Sequence, residues 1–191
     1  KDIIKDCDDK ELIPDSIKTP EDALFTTKIG KLARIFSFIL KGTSKDAMKN
    51  TKILSRIKDP YEILDQSTIQ GKYIWKQFLK FNSIYENIYN SIKSDDEKLI
   101  VHTYAENKTS LTSDLSNEIL YHHPEKFIII CRESNGEMKC SLRSAKYKVL
   151  PKLNKALVGL SGFGGGHEQA CGCNVKNTDF PEFVDRIKKQ L

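Results

Sequence analysis

Residues 127–143 read Phe127-Ile128-Ile129-Ile130-Cys131-Arg132-Glu133-Ser134-Asn135-Gly136-Glu137-Met138-Lys139-Cys140-Ser141-Leu142-Arg143 and predict two paired strands at the centre of a sheet. The apolar start of this stretch, residues 127–131, is typical of a strand that is covered on both faces. Asn135-Gly136 favours a tight hairpin turn, because both residues tolerate positive φ. The return strand alternates apolar and polar side chains, so Arg143 is expected on the face opposite Cys140 and Leu142.

Strand-like and helix-like patterns alternate on both sides of this hairpin. Residues 99–104 are predicted to form a strand, and Ser113-Asp114 is expected to cap a short helix. Another strand is predicted near residues 171–175, and a final helix begins after Asp179. Such alternation is typical of a small α/β domain with a mixed β-sheet.

The first half of the chain has the pattern of helices. Thr19-Pro20 is a helix start signal, and apolar residues at spacings of three and four predict one helix that continues until Gly42 stops it. Thr43 or Ser44 can cap a second helix, and a third, long helix is predicted over about residues 67–92. The predicted fold is therefore α/β, with a helical N-terminal segment over residues 1–95 and the small α/β domain over residues 96–191.

Composition and charge limit the function classes. The chain has 191 residues, of which 39% are hydrophobic and 30% charged, with a net charge of +5. No apolar run approaches the ~18 residues of a membrane span, so we expect no membrane partner. Five irregularly spaced cysteines and no visible signal-peptide pattern near Lys1 predict reduced thiols and a cytoplasmic location. The positive charge permits a polyanionic partner without requiring one.

A glycine-rich stretch is the candidate functional site. Six of the ten glycines lie between Gly159 and Gly172, around Gly162-Phe163-Gly164-Gly165-Gly166-His167. Consecutive N–H groups in such a loop form a nest that binds anions, and His167 could donate to a phosphate oxygen. The residues alone leave open a phosphate-binding loop or a structural glycine turn. Because His167, Cys171 and Cys173 lack a fourth ligand at zinc spacing, no metal site is predicted.

Gly164-Gly165-Gly166-His167-Glu168-Gln169-Ala170-Cys171-Gly172 resembles the GGGHxxAxG motif of the DHH-associated domain, the C-terminal substrate-binding domain of DHH-family phosphoesterases. Ser141-Leu142-Arg143-Ser144 resembles the strand of that domain that ends in an Arg-Ser pair. The final helix also matches the usual ending of the domain. The resemblance covers about residues 97–191.

The resemblance implies part of a two-domain hydrolase. In this family a DHH domain holds two metal ions, usually manganese, and the second domain closes over it. The residues expected to bind the phosphate or terminal nucleotide of the substrate are Arg143, Ser144, Gly164, Gly165, Gly166 and His167. Substrates in the family include short RNAs, nucleotide bisphosphates, cyclic dinucleotides, single-stranded DNA and polyphosphate, and the sequence leaves the choice open.

The chain departs from the family pattern because it contains no Asp-His-His sequence. Its only adjacent histidines, His122-His123, are predicted to end a helix, where cationic side chains are favourable. We therefore expect no catalytic residues and no bound cofactor in this chain alone, with two Mn²⁺ ions held by a DHH catalytic domain as its partner. Residues 1–95 are predicted to be the tail of that domain and a linker helix. The alternative is a stand-alone, non-enzymatic module that binds nucleotides or single-stranded nucleic acid.

Overall fold

The computed structural model describes residues 11–105 and 109–191, and the chain divides into two compact units, Lys1–Glu86 and Asn87–Leu191. The described part of the first half is helical, as predicted. Its helices in chain order are α1 (Pro20–Thr26), α2 (Lys28–Ile39), α3 (Ser44–Leu54), α4 (Tyr61–Leu64) and α5 (Ile69–Ser91), of which α5 crosses the boundary between the units.

Thr27 divides the first predicted helix into two, so the prediction of a single helix that continues to Gly42 is wrong. Thr27 has extended backbone dihedral angles, donates its hydroxyl to the carbonyl of Ala23 at 2.5 Å and accepts from the N–H of Gly30 at 3.2 Å. It therefore ends α1 and caps α2 with one side chain. The predicted start at Thr19 is confirmed, because Thr19 and Asp22 form a reciprocal capping box.

The core of the first unit lies between α2 and α5. The ring of Phe38 lies 5.8 Å from that of Phe78 and 5.4 Å from that of Tyr85, and all three side chains are buried. Asn50 on α3 donates its amide to the carbonyl of Ile39 at 2.7 Å, which ties α3 to the end of α2. None of the described helices is both long and apolar enough to cross a membrane.

The second unit contains a five-stranded sheet and three helices. Its described elements in chain order are β1 (Leu99–Tyr104), α6 (Thr112–His122), β2 (Phe127–Ser134), β3 (Glu137–Arg143), α7 (Val149–Leu157), β4 (Gly162–Gly166), β5 (Ala170–Lys176) and α8 (Phe180–Lys188). The strand order is β1-β2-β3-β5-β4. Strands β1 and β2 are parallel, and the other neighbouring pairs are antiparallel. The predicted mixed sheet is confirmed.

The central hairpin has the predicted geometry. Asn135 and Gly136 both have positive φ, at 55° and 76°. On one face of the sheet, apolar side chains pack with α7 and α8 into one buried core; its members from the strands are Leu99, Phe127, Ile129, Cys131, Cys140, Leu142, Cys171, Cys173 and Val175. Arg143 alternates with Leu142 and points to the other face, as the sequence predicted.

Two cysteines of this core are joined, which corrects the expectation that the described thiols are all reduced. Cys131 on β2 lies directly opposite Cys140 on β3, and the two form a disulfide. The hairpin register brings them together, although they are nine positions apart along the chain. Cys171 and Cys173 on β5 carry free thiols. Cys7 lies outside the described residues.

A close backbone contact at Gly71 sets the approach of α5 to the preceding segment. A Cβ atom at Gly71 would overlap the carbonyl oxygen of Glu62, which is backbone and cannot move aside as a flexible side chain can. We expect Gly71→Ala to lower the free energy of unfolding by about 1–3 kcal/mol through overpacking, although alanine is the better helix former. Urea denaturation followed by circular dichroism measures this change.

Ser83→Ala, on the exposed side of the same helix, is the matched control. It is expected to change the stability by less than about 0.5 kcal/mol. A Gly71→Ala protein as stable as the wild type would contradict the close approach.

Candidate functional site

The glycine-rich stretch forms an edge strand rather than a loop, which corrects the predicted anion nest. Gly162–Gly166 is β4, and it pairs along its whole length with β5. Within this strand only Gly166 has positive φ, at +148°. The glycines are therefore required mainly because they lack a Cβ atom, and not because the backbone turns repeatedly.

Close packing explains the glycines that face the core. A Cβ atom at Gly164 would lie 2.7 Å from the Cβ of Cys173 and 3.1 Å from a methyl carbon of Leu153 on α7. At Gly162 it would lie 2.6 Å from the carbonyl oxygen of Asn174. These two glycines allow β4 to pack tightly against β5 and, at Gly164, against α7.

Packing does not explain the glycines on the other face. Gly165 lies opposite Gly172 in the register of β4 and β5. A Cβ atom at Gly165 would meet nothing within 4 Å, and one at Gly172 would make only an ordinary contact, 3.7 Å from the carbonyl of Cys140. Both residues are exposed. The pair thus leaves bare backbone on the surface that a ligand can approach closely.

An open groove of about 520 Å³ lies over this bare backbone; it is lined by Thr112, Lys139, Cys140, Phe163, Gly164, Gly165, Gly172, Cys173 and Asn174. Phe163 is 72% exposed. Asn174 donates its amide to Glu137 at 2.6 Å, while its buried Oδ1 atom has no hydrogen-bond partner among the described residues. The groove thus combines an exposed aromatic ring, an ammonium group and bare backbone.

Sequence reasoning did not assign Lys139, Phe163 or Asn174 to the site. The alternation of β3 contained a signal for Lys139, because it lies two and four residues before Ser141 and Arg143 and so shares their face. Phe163 and Asn174 lie opposite each other in the register of β4 and β5. That pairing depends on Gly162–Gly166 being a strand, which the glycine-rich sequence does not indicate.

Arg143 lies beside the first turn of α6 and is held there by neutral acceptors. Its Nε donates to Asn117 at 2.9 Å and its Nη2 to Ser113 at 3.2 Å, while its Nη1 donates to the carbonyls of Leu142 and Cys171. Among the described residues no carboxylate pairs with it. Burial lowers the pKa of the Arg143 guanidinium from its ordinary value. The charge is thus positioned but not neutralised.

The remaining predicted residues differ in exposure. His167 is exposed, and its imidazole makes no hydrogen bond within the described residues. Ser144 is fully buried, and its hydroxyl donates to the carbonyl of Lys126 at 3.1 Å and accepts from the N–H of Tyr147 at 3.0 Å. The Ser144 hydroxyl therefore stabilises a turn and is not exposed to a phosphate.

The free thiols of β5 do not supply reactive or metal-binding groups. Burial raises the pKa of the Cys171 thiol. The pKa of Cys173 is raised to about 12, mainly by burial and to a smaller extent by the nearby Cys171. Thiolates are the form that attacks substrates and binds metals, and neither thiol ionises near neutral pH. Among residues 11–105 and 109–191, no group of three His, Cys, Asp or Glu side chains could hold a metal ion. His122 ends α6 and His123 is its C-cap, as predicted.

Comparison with known families matches residues 87–191 to the DHHA1 domain. No curated protein sequence matches the chain. Among solved structures, RecJ from Thermus thermophilus in complex with Mg²⁺ is similar, with a TM-score of 0.62 at 18% identity over 88% of this chain and 25% of RecJ. A pGpG-specific phosphodiesterase, PggH from Vibrio cholerae, has a TM-score of 0.54 at 14% identity over 98% of this chain and 64% of its own.

A third similar structure, described as the DHH domain of a member of the s1p family of ribosomal proteins, has a TM-score of 0.53 at 15% identity over 85% of this chain and 42% of its own. At these identities the similarities show the fold. The chain spans about a quarter of the length of RecJ.

The two faces of β4 predict opposite outcomes for the same substitution. Gly164→Ala places a Cβ atom against Cys173 and Leu153, so we expect it to lower the free energy of unfolding by about 1–3 kcal/mol. Gly165→Ala points into open space, so we expect a change of less than about 0.5 kcal/mol. Denaturant unfolding of both variants, followed by fluorescence and circular dichroism, provides the comparison. Equal losses of stability would show that Gly165 is required by the fold.

Proposed function

We propose, from the premise that this chain belongs to the DHHA1 domain family, that its groove binds the phosphate or terminal nucleotide of a short oligonucleotide or nucleotide. In this proposal the chain is the substrate-binding part of a metal-dependent phosphoesterase. A DHH catalytic domain is its partner and performs the hydrolysis.

The exposed Gly165–Gly172 pair is the observation that carries the proposal. Glycine weakens a strand, because it loses more backbone entropy on folding and offers no side chain to pack. Neither glycine of this pair is required by contacts within the described chain. A ligand that lies directly on the backbone supplies the missing reason for both residues.

The edge position of β4 supplies hydrogen-bond donors for a phosphate. In an edge strand, every second N–H group points away from the sheet and has no partner strand. His167 follows directly after β4, and its exposed imidazole can add a donor at the end of this row. Backbone N–H groups and a protonated imidazole are both suited to phosphate oxygens, and the bonds to a charged acceptor are the stronger kind.

Arg143 contributes a fixed positive charge to this side of the sheet. Its bonds to Ser113 and Asn117 set the orientation of the guanidinium before any ligand arrives. A pre-oriented side chain loses little conformational entropy when an anion binds. Because no described carboxylate neutralises it, the charge remains available to attract a phosphate.

The rest of the groove favours a nucleotide over inorganic polyphosphate. Phe163 offers an exposed ring on which a base can stack. Lys139 adds a second positive charge to the wall. Polyphosphate would use the charges alone and would leave the aromatic ring without a partner.

The metal ions of the proposed reaction would be held by the DHH domain. The described residues of this chain include no group of three metal ligands. In the proposed reaction these residues hold the substrate in place. RecJ from Thermus thermophilus is described in complex with Mg²⁺ and, in a second structure, with Mn²⁺. A cytoplasmic location is part of this proposal.

Gly165→Val tests the backbone contact directly. A Cβ atom at Gly165 meets nothing within 4 Å, so the added side chain would stand over the bare patch and we expect the fold to survive. We expect the affinity for adenosine monophosphate to fall by about 10- to 100-fold, as for the loss of hydrogen bonds to a charged group. Isothermal titration calorimetry measures the affinity, and circular dichroism reports the fold.

Asn154→Val, at an exposed position on α7, is the control for adding a branched side chain to this unit. It is expected to leave the affinity unchanged. A folded Gly165→Val protein with wild-type affinity would refute the proposed contact.

Phe163→Ala separates base stacking from phosphate binding. Stacking of a base on an aromatic side chain contributes about 1–3 kcal/mol, so we expect weaker binding of adenosine monophosphate and unchanged binding of inorganic phosphate. Val158→Ala, a substitution of another exposed apolar residue in the same unit, should change neither. Calorimetric titration with both ligands gives the comparison, and equal losses for the two would exclude stacking as the role of Phe163.

A further inference from the structure

The helical unit contains a concentration of positive charge that the groove does not explain. Residues 28–80 carry 12 Lys and Arg residues against 4 Asp and Glu residues. The described part of this unit has its own core between α2 and α5, so these charges lie on the surface of a separately packed body. On α3 and α5 they are grouped into rows.

On α3 the basic residues share one face. Lys45, Lys49 and Lys52 stand at positions i, i+4 and i+7, the spacing of one side of a helix, and extend over about 10 Å of its axis. Arg56 follows in the turn after the helix at i+11 and continues the row. All four are exposed, whereas Asn50, on the other side of the helix, is buried against α2.

A second row lies on α5 beside the first. Lys72, Lys76 and Lys80 stand at i, i+4 and i+8 and are all exposed. The ammonium of Lys49 lies 5.1 Å from the centre of the Tyr73 ring, so the two helices are adjacent at this point. At the other end of α3, a Cβ atom at Gly42 would lie 3.5 Å from the ring of Phe81. We call the seven residues Lys45, Lys49, Lys52, Arg56, Lys72, Lys76 and Lys80 the basic ridge.

The charges of the basic ridge are not balanced by acidic neighbours. Within the described residues, none of the seven forms an ion pair, and Lys80 donates instead to the amide oxygen of Gln77 at 2.8 Å. Asp46 is the only acidic residue of α3. The hydrogen bond from the Thr43 hydroxyl is the main cause that lowers the pKa of the Asp46 carboxyl, and the positive charges of Lys80 and Lys45 lower it further. Like charges four residues apart on a helix destabilise it, so the arrangement has a cost that a ligand would offset.

We propose that the basic ridge binds the phosphate backbone of a nucleic-acid chain. Two neighbouring rows of exposed ammonium and guanidinium groups match a linear polyanion, in which negative charges repeat at short intervals. The exposed side chain of Met48, on α3, provides an apolar surface for bases beside the charges. This site lies in the first unit. The proposal does not depend on the nucleotide groove that we propose for the second unit.

A membrane surface fits the same charges less well. An amphipathic helix that binds lipid presents a broad apolar face to the bilayer next to its basic residues. Here the apolar side of α5, with Ile74 and Phe78, is buried in the core of the unit. Three large apolar side chains are exposed on α3 and on the part of α5 that belongs to the first unit: Met48, Ile69 and Leu79.

The test compares two triple variants that lose the same charge. One is Lys49→Gln, Lys52→Gln and Lys76→Gln in the basic ridge, and the other is Lys18→Gln, Lys155→Gln and Lys176→Gln at exposed positions elsewhere. Fluorescence anisotropy measures the affinity of the full chain for a labelled oligodeoxythymidylate of about 20 nucleotides, at several salt concentrations. Circular dichroism confirms that each variant is folded.

We expect the ridge variant to bind the oligonucleotide about 10- to 100-fold more weakly, and the slope of log affinity against log salt to become shallower by about 2, since each phosphate contact contributes about 0.7. The matched control should show a much smaller loss of affinity and a much smaller change of the slope. Equal losses in the two variants would show that only net charge matters and would overturn the proposal.

Two further measurements keep this inference separate from the nucleotide groove. The ridge variant is expected to bind adenosine monophosphate with wild-type affinity, and Gly165→Val should retain most of the salt-dependent oligonucleotide binding. If instead the ridge variant lost binding to phosphatidylserine vesicles and kept its affinity for the oligonucleotide, the ridge would be a membrane contact and the proposal would be wrong.

Discussion

The antiparallel pairing of β3 with its two neighbours is the constraint on which the second unit depends. Its register with β2 closes the disulfide, and its register with β5 places Ser141 opposite Gly172 and Leu142 opposite Cys171. A slip of one residue would exchange the two faces of the strand. The charged row would then enter the core, and the apolar row would line the groove. One backbone ladder thus sets both the packing of the domain and the chemistry of its surface.

Glycine serves two different physical purposes in the edge strand. On the core side, Gly164 allows two strands and a helix to approach more closely than any side chain would permit. On the open side, Gly165 leaves the backbone bare where nothing in the described chain presses on it. The first purpose contributes to stability, and the second lowers it slightly in exchange for close approach of a ligand to the backbone. The proposed binding function therefore lies on the face where the fold has no need of glycine.

The two proposed binding surfaces use different interactions. The proposed groove offers bare backbone and an aromatic ring, and Arg143 adds a fixed guanidinium on the same face of the sheet, so we expect its selectivity to come from geometry that salt affects little. The basic ridge offers seven exposed charges on flexible stems, so its attraction is non-specific and falls with ionic strength. The groove is thus suited to a terminal nucleotide, and the basic ridge to a repeating phosphate backbone. That division of roles follows from burial and rigidity, and not from the number of charges.

The sequence by itself determined the features that depend on neighbouring residues. The Thr19 capping box, the Asn135-Gly136 turn, the strand at residues 99–104 and the long helix ending near residue 91 were all predictable, because capping, turn geometry and periodicity are local. The glycine-histidine motif and the mixed sheet were also evident. The tertiary structure alone decided that Cys131 meets Cys140, that Gly162–Gly166 is a strand, that Ser144 is buried and that Arg143 is tied to α6. Each of these depends on contacts between residues distant in sequence, whose register and separation no local pattern encodes.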